Sequence, residues 1–303
     1  LLALAIDLGL GDPPNRFHPV VLMGNWLTLG RKNAPPRYRF WFGAGWILAG
    51  LALFTLPFHL LRRLNSQFPI HNSLFTIIIS AVLLKSTLAY RNLRRAVGEI
   101  MAALSIDDLP EARRLLAWHL VSRDTGQLTE AEVVGAAVES LAENVTDSLV
   151  APLSAFVVGG LPAAWAYRLV NTADAMWGYR TEEFEQLGKF AARLDDALNW
   201  LPARLAGWMF VAAAWVVGEN AAQAAGTMLT QHGRTASPNA GWTMGATAGA
   251  LEVTLSKREV YALEGGTQPL NAATVRRALR LADVCVALCV GVIGVAGYFW
   301  QRR

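Results

Sequence analysis

Charge is scarce in this chain. Only 17% of its 303 residues are Asp, Glu, Lys or Arg, against about a quarter in a soluble domain. Hydrophobic residues make up 53% and there are 11 tryptophans, with a mean hydropathy of +0.31. An ordinary soluble domain is excluded, and a membrane protein with substantial parts outside the bilayer is expected. Cysteine is scarcer still. Cys285 and Cys289 share one apolar run, which excludes a disulfide scaffold and makes them small residues facing lipid or another helix. The sequence has no GxxxxGK[ST] phosphate loop, no GxSxG nucleophile elbow and no Cys/His cluster for zinc. The first stretch, LLALAIDLGLGDPP, lacks a basic leading region and an initiator Met. No cleavable signal is expected there, and a few residues are expected to be missing. The net charge of +4 comes from basic residues scattered in pairs, which fits a bias toward cytoplasmic loops and not a nucleic-acid face.

Apolar runs set the architecture. Residues 41–61 and 70–90 are each long enough for the ~30 Å hydrocarbon core at 1.5 Å per residue. Arg31, Lys32, Arg37 and Arg39 flank one side, Arg91, Arg94 and Arg95 the other, and Arg62 and Arg63 sit between. That distribution favours both outer flanks inside and the connection outside. Residues 149–170 are also long enough, but Pro152, Gly159, Gly160 and Pro162 predict a broken or re-entrant segment. Residues 200–217 open with Pro202 and Arg204, and 282–300 read as a last span. There is no internal repeat, and no strand alternation long enough for a sheet. The fold class is therefore all-α: a polytopic integral membrane protein with four to five membrane helices, some broken or re-entrant. Residues 1–303 form a single membrane-embedded helical domain, with polar helical segments at about 91–148, 171–199 and 218–281.

The polar segments carry the chemistry. Thr129 and Glu132 fit a capping box, so a helix should start there. On that helix Glu132, Glu139, Glu143 and Asp147 fall within about an 80° arc, opposite Val134, Val138, Leu141 and Val145. Such like-charge pairs cost only about 0.2–0.5 kcal/mol each, so a solvated acidic face is the bland explanation. No Lys or Arg occurs between Arg123 and Arg168 to relieve it. A cation from outside the helix is the alternative: Mg²⁺, which often arrives with phosphates, or an ammonium substrate. Arg123, ahead of the helix, could hold a phosphate or simply pair in its loop. NTADAMWGYR offers Asn171, Asp174, Tyr179 and Arg180. AARLDDALNW offers Arg193, Asp195 and Asp196, and adjacent aspartates point different ways, so only one need face a site. Ser237 or Asn239 could cap a helix whose free N–H groups suit an anion. Gly241, Gly245 and Gly249 recur every four residues, which suits close helix packing. His18 reads as structural.

Five segments in order, DLGLGDPPNRFHPVVLMG, VSRDTGQLTEAEVVGAAVESLAENVTDSLVAPL, NTADAMWGYR, AARLDDALNWLPARL and SPNAGW, resemble the CobD/CbiB family of cobalamin biosynthesis, the adenosylcobinamide-phosphate synthases. The likeness runs from about residue 7 to 250. It departs at Ser148, where the family usually has Gly, and at NTADAMWGYR, where it has NTLDSMxGYR.

The resemblance implies a multi-pass enzyme of the bacterial cytoplasmic (inner) membrane. Such an enzyme joins adenosylcobyric acid to an amino-alcohol phosphate such as (R)-1-aminopropan-2-ol phosphate, with ATP as energy source. On that chemistry Glu139, Glu143 and Asp147 are the expected Mg²⁺ ligands, with Glu139 and Glu143 also catalytic. Arg123, Asn171, Arg180, Arg193, Ser237, Asn239 and Asp12 are the expected substrate and phosphate contacts. Asp174 or Asp195 accepts the amine proton, and the sequence does not choose between them. No recognisable ATP motif is present. The partners are the two substrates and the lipid bilayer, with no nucleic acid, and homo-oligomers are left open. A membrane corrinoid carrier and a non-catalytic scaffold are the competing classes.

Overall fold

In the computed structural model, residues 1–65 and 74–300 are described, apart from 13, 15 and 17. The expected outside connection with Arg62 and Arg63, part of the expected 70–90 span, and terminal Arg302 and Arg303 involve side chains or residues outside that set. The chain divides into two compact units. The first comprises Leu1–Ala89, Ala151–Leu198 and Ile293–Arg303. The second comprises Tyr90–Val150 and Asn199–Val292.

The first unit begins with α1 (Leu2–Leu10), α2 (Pro19–Asn33), α3 (Arg39–Asn65) and α4 (Leu74–Lys85). Pro19 fits the first turn of α2, where its missing N–H costs nothing, and His18 caps that helix by accepting from the Val20 N–H through Nδ1 at 3.2 Å. The structural reading of His18 therefore stands. The unit continues with α8 (Ala151–Trp177), α9 (Phe184–Leu187) and the start of α10 (Lys189–Val217). Its core joins Leu27, Ile47, Ala173, Trp177, Leu187 and Ala191, where stacked Trp26 and Trp46 each donate an indole N–H to the other's carbonyl.

The second unit holds α5 (Tyr90–Ser105), α6 (Leu109–His119), α7 (Glu130–Val145), α11 (Ala221–Gln231), α12 (Ala240–Leu251) and most of α13 (Ala272–Trp300). The capping box is present in both directions: Thr129 Oγ1 accepts from the Glu132 N–H, and Glu132 accepts from the Thr129 N–H at 2.8 Å. The glycine repeat also does what its spacing predicts. A Cβ at Gly241 would lie 2.0 Å from the His232 carbonyl oxygen, one at Gly249 2.3 Å from that of Gln223, and one at Gly245 3.2 Å from the Met228 Cα. Only glycine lets α12 pack this closely on α11 and the turn that follows it.

Among the described residues four helical stretches are long and apolar enough to cross a membrane: Arg39–Leu60, Glu130–Trp177, Lys189–Val217 and Ala272–Phe299. The protein is thus an all-α polytopic membrane protein. The 48-residue stretch is far longer than one crossing needs, and it is interrupted twice. Thr146–Val150 form a π turn. Gly159 and Gly160 leave helical geometry, Gly160 with φ 67°, a region where a side chain would be strained. The predicted break lies here, one turn ahead of Pro162.

Of the stretch 70–90, the structure describes helix Leu74–Lys85, 12 residues ending on a buried lysine, and the start of that stretch lies outside the described residues. Two expectations change. The span expected at 200–217 is the second half of α10, which starts at Lys189 and runs through Pro202. Within 218–281, strands β1 (Thr254–Lys257) and β2 (Tyr261–Glu264) pair antiparallel. Each has only four residues, too few for alternation to show, and Leu255 opposite Leu263 buries the one apolar pair.

Candidate functional site

In the first unit, two of the expected motifs line a single cleft. α8 ends at Trp177, and the chain turns through Gly178. A Cβ at Gly178 would lie 2.3 Å from Asp174 Oδ1, so glycine is needed for the chain to fold against that carboxylate. Arg180 follows the turn, and α10 brings Lys189 and Arg193, one helical turn apart, to the same place. Together with Tyr179, Glu185 and Asp196 they line a cleft of ≈340 Å³. Lys189 lies 3.7 Å from Glu185. Arg180 and Arg193 form no ion pair with any described residue.

The two adjacent aspartates do separate. Asp195 is buried and accepts from Asn171 Nδ2 at 3.3 Å, while Asn171 Oδ1 accepts from Arg168. Asp196, about 100° further round the helix, lines the cleft. The sequence leaves the proton acceptor open between Asp174 and Asp195; Asp196, which it offers without a role, and Lys189, which it does not single out, are the residues the cleft adds. Their signal was helical spacing from Arg193, at i+3 and i−4.

Asp12 lies elsewhere in this unit. Lys85 is 3% exposed and pairs with Asp7 at 3.5 Å and closely with Asp12. His18 Nε2 lies 3.3 Å from the same Asp12 oxygen. Burial works against ionisation of Asp12, but hydrogen bonds and charge from His18 and Lys85 outweigh it and hold its carboxyl at about 2. Asp12 is therefore engaged by the protein's own cations, which leaves it poorly suited to meet a phosphate. Neither Asp7 nor Lys85 stood out in the sequence, because each looked like a solitary charge at the edge of an apolar run.

In the second unit the acidic stripe is largely enclosed. α7 is buried from Val133 to Ala142, and Glu139 is only 6% exposed. Glu143 is exposed and Asp147 half-buried. Asp147 belongs to the π turn, so the α-helical spacing that aligned it with the others ends at Val145. The missing cations come largely from the hairpin. Arg258 forms a two-pronged pair with Glu132. Tyr261 faces the Glu139 carboxylate. Burial first, then the charges of Glu139 and Glu143, push the Tyr261 phenol far above its ordinary value, while Arg123 opposes them. Arg123, Glu139 and Glu143 thus share one neighbourhood around Tyr261. Glu139 Oε1 is buried without a hydrogen-bond partner. Arg123 and Arg258 also line a pocket of ≈220 Å³ with Asp124, Gln127, Glu132 and Ser256. Among the described residues no three His, Cys, Asp or Glu side chains are grouped to hold a metal ion. A cation here would have to bring other ligands with it.

Ser237 and Asn239 stand at the start of α12. Ser237 Oγ accepts from the Asn239 N–H at 3.2 Å, and Asn239 is the cap residue without a side-chain cap bond. Nearby, Arg204 is stacked between Trp200 and Trp242, 4.1 and 4.7 Å from their ring centres, and reaches Asn239 Oδ1 at 3.5 Å. His232 stacks on Trp242.

Similarity to other proteins converges on one family. Residues 1–282 match the family described as CobD/Cbib protein. A cobalamin biosynthesis protein CobD of Dehalococcoides mccartyi is 42% identical over 97% of this chain and 96% of its own length. A probable cobalamin biosynthesis protein CobD of Methanothermobacter thermautotrophicus is 40% identical, covering 95% and 93%. The CobD of Brucella suis is 37% identical, covering 95% and 90%. No solved structure matches. With a family match over nearly the whole chain and relatives of this identity, the protein belongs to the CobD/CbiB family of cobalamin biosynthesis proteins.

Proposed function

We propose that the protein is an adenosylcobinamide-phosphate synthase of a bacterial cytoplasmic membrane. It joins adenosylcobyric acid to an amino-alcohol phosphate, such as (R)-1-aminopropan-2-ol phosphate, by ATP-dependent amide formation. The observation that carries the reading is the cleft where Arg180, Lys189 and Arg193 gather. Two guanidiniums without an ion pair among the described residues suit a phosphate monoester, which arginine grips in a planar, two-pronged fashion.

Amide formation from a carboxylate requires a better leaving group than hydroxide. ATP supplies it by phosphorylating the corrinoid carboxylate to an acyl phosphate, releasing ADP. The amine of the second substrate then attacks, inorganic phosphate leaves, and the amine proton passes to a carboxylate. Asp196 in the cleft wall, and Asp174 packed against Gly178, are the carboxylates that this reading assigns to that proton transfer. Asp195, buried on Asn171, instead positions the helix that carries Arg193. Mg²⁺ commonly needs only one or two protein carboxylates when phosphates complete its shell. Glu139, with its unpartnered Oε1, and Glu143 fit that limited role; Mg²⁺ would supply charge neutralisation during phosphoryl transfer.

The test is reconstitution of the full chain in lipid nanodiscs with adenosylcobyric acid, aminopropanol phosphate, ATP and Mg²⁺. A corrinoid product heavier by the condensed amino-alcohol phosphate is expected by mass spectrometry. The break at Gly159–Gly160 favours one rival, a corrinoid carrier with a broken helix. Uptake of corrinoid into sealed vesicles with no amide product would establish that rival instead.

A further inference from the structure

The entrance to α3 changes character within five residues. Arg37, Tyr38, Arg39, Phe40 and Trp41 lead directly into the candidate span Arg39–Leu60. Tyr38 and Trp41 are well exposed, at 67% and 74%. These five residues form one wall of an open cleft of ≈1120 Å³, and Thr181, Glu182, Glu183 and Phe184 contribute to the other.

The charges in this cleft do not cancel. Arg31 neutralises Glu183 through two bonds, of 2.7 and 2.9 Å. Arg39 donates to the Glu183 carbonyl at 2.9 Å and shares the Glu183 carboxylate's charge with Arg31, so one carboxylate faces two arginines. Arg37 forms no ion pair with any described residue. Glu182 is the one further lining carboxylate. A net positive wall therefore stands beside exposed Tyr and Trp rings at the mouth of a membrane helix. Below it, α3 continues as an apolar surface through exposed Leu48, Leu53 and Leu56. Aromatic rings of this kind sit at headgroup depth, and arginine binds phosphate.

We propose that this cleft binds the headgroup of an anionic glycerophospholipid of the phosphatidylglycerol class. Arg37 and Arg39 hold the phosphodiester, and the acyl chains run past Trp41 along the exposed face of α3. A soluble phosphate would satisfy the arginines but would leave the rings and the leucine face in water. The proposal is independent of the amide-forming reaction.

Lipid-reconstituted full-length protein tests it. Brominated phosphatidylglycerol or brominated phosphatidylcholine is titrated in, and the quenching lost in Trp41→Phe isolates the Trp41 signal. Trp41 should be quenched at a lower fraction of phosphatidylglycerol than of phosphatidylcholine. Each arginine should contribute about five-fold to that preference, the equivalent of ~1 kcal/mol for a basic residue near an anionic surface. Arg37→Glu, which leaves the Arg39 contact to the Glu183 carbonyl in place, should abolish the preference while the protein keeps its thermal transition. Equal quenching by both lipids in the wild type would overturn the proposal. So would loss of the preference on adding inorganic phosphate at constant ionic strength, which would mark a soluble-anion site. An unchanged preference in Arg37→Glu would overturn it as well.

Discussion

Lys85 and Arg193 are both cations on helices of the first unit, and their surroundings are opposite. Lys85 is almost wholly buried and enclosed by Asp7 and Asp12. Arg193 is exposed on a cleft shared with Arg180, without an ion pair among the described residues. The reason is the cost of desolvation. A buried charge must be paired, because an unpaired one costs several kcal/mol. A charge at the surface can stay unpaired cheaply. The first arrangement fastens the chain; the second leaves charge available for something that is not protein. α7 in the second unit leans toward the first kind, with Glu132 taken by Arg258 and Glu139 buried beside Tyr261.

This contrast can be broken, most forcefully at Lys85. Lys85→Met nearly keeps the length of the side chain and removes the lysine charge from Asp7 and Asp12, leaving Asp12 its His18 contact. A loss of about 3–5 kcal/mol is expected, as for breaking a buried pair from one side, and the thermal transition of detergent-solubilised protein should fall accordingly. A transition within a degree of wild type would mean that the cluster holds nothing together. Arg193→Gln should show the converse. Its stability should stay within about 0.5 kcal/mol, while the loss of a charged hydrogen bond to phosphate, about 1.5–3 kcal/mol, should reduce kcat/KM for the amino-alcohol phosphate by roughly 10- to 100-fold. Kinetic parameters equal to wild type would remove Arg193 from the site. Thr129→Ala is smaller. It deletes the cap of α7, worth about 1 kcal/mol, and urea titration of the second unit's helical signal should shift by that amount.

The local features could be read before any coordinates. The capping box at Thr129 and Glu132, the glycine spacing of α12 and the break in α8 each depend on residues within one or two turns. The family resemblance rests on such motifs too. What stayed hidden was long-range pairing. Nothing near Lys85 announces Asp12, nothing near Glu132 announces Arg258, and two four-residue strands carry too little alternation to be seen. The acidic stripe shows the consequence. Its spacing was correctly periodic as far as Val145, yet periodicity cannot say that a hairpin more than a hundred residues later covers it. In the basic cleft the same limit applies more gently, because two of its three cations, Lys189 and Arg193, sit with Asp196 on one helix face and Arg180 comes from the segment just before.

The smallest effect sharpens the contrast by pH. The Asp12 carboxyl is held at about 2, against an ordinary 3.8. A group whose value is lowered on folding contributes stability that is fully present above its unfolded value and is lost as pH falls toward the folded one. The stability gap between wild type and Asp12→Asn should therefore narrow as pH drops from about 4 toward 2. The Asp12 side chain keeps 22% of its surface exposed, against 4% for Lys85, so screening keeps this contribution below that of Lys85. Thermal transitions of the two proteins across that range measure it directly. A gap that stays the same down to the lowest pH would show that Asp12 acts by shape and not by charge, and Lys85 would then owe its burial to Asp7 alone.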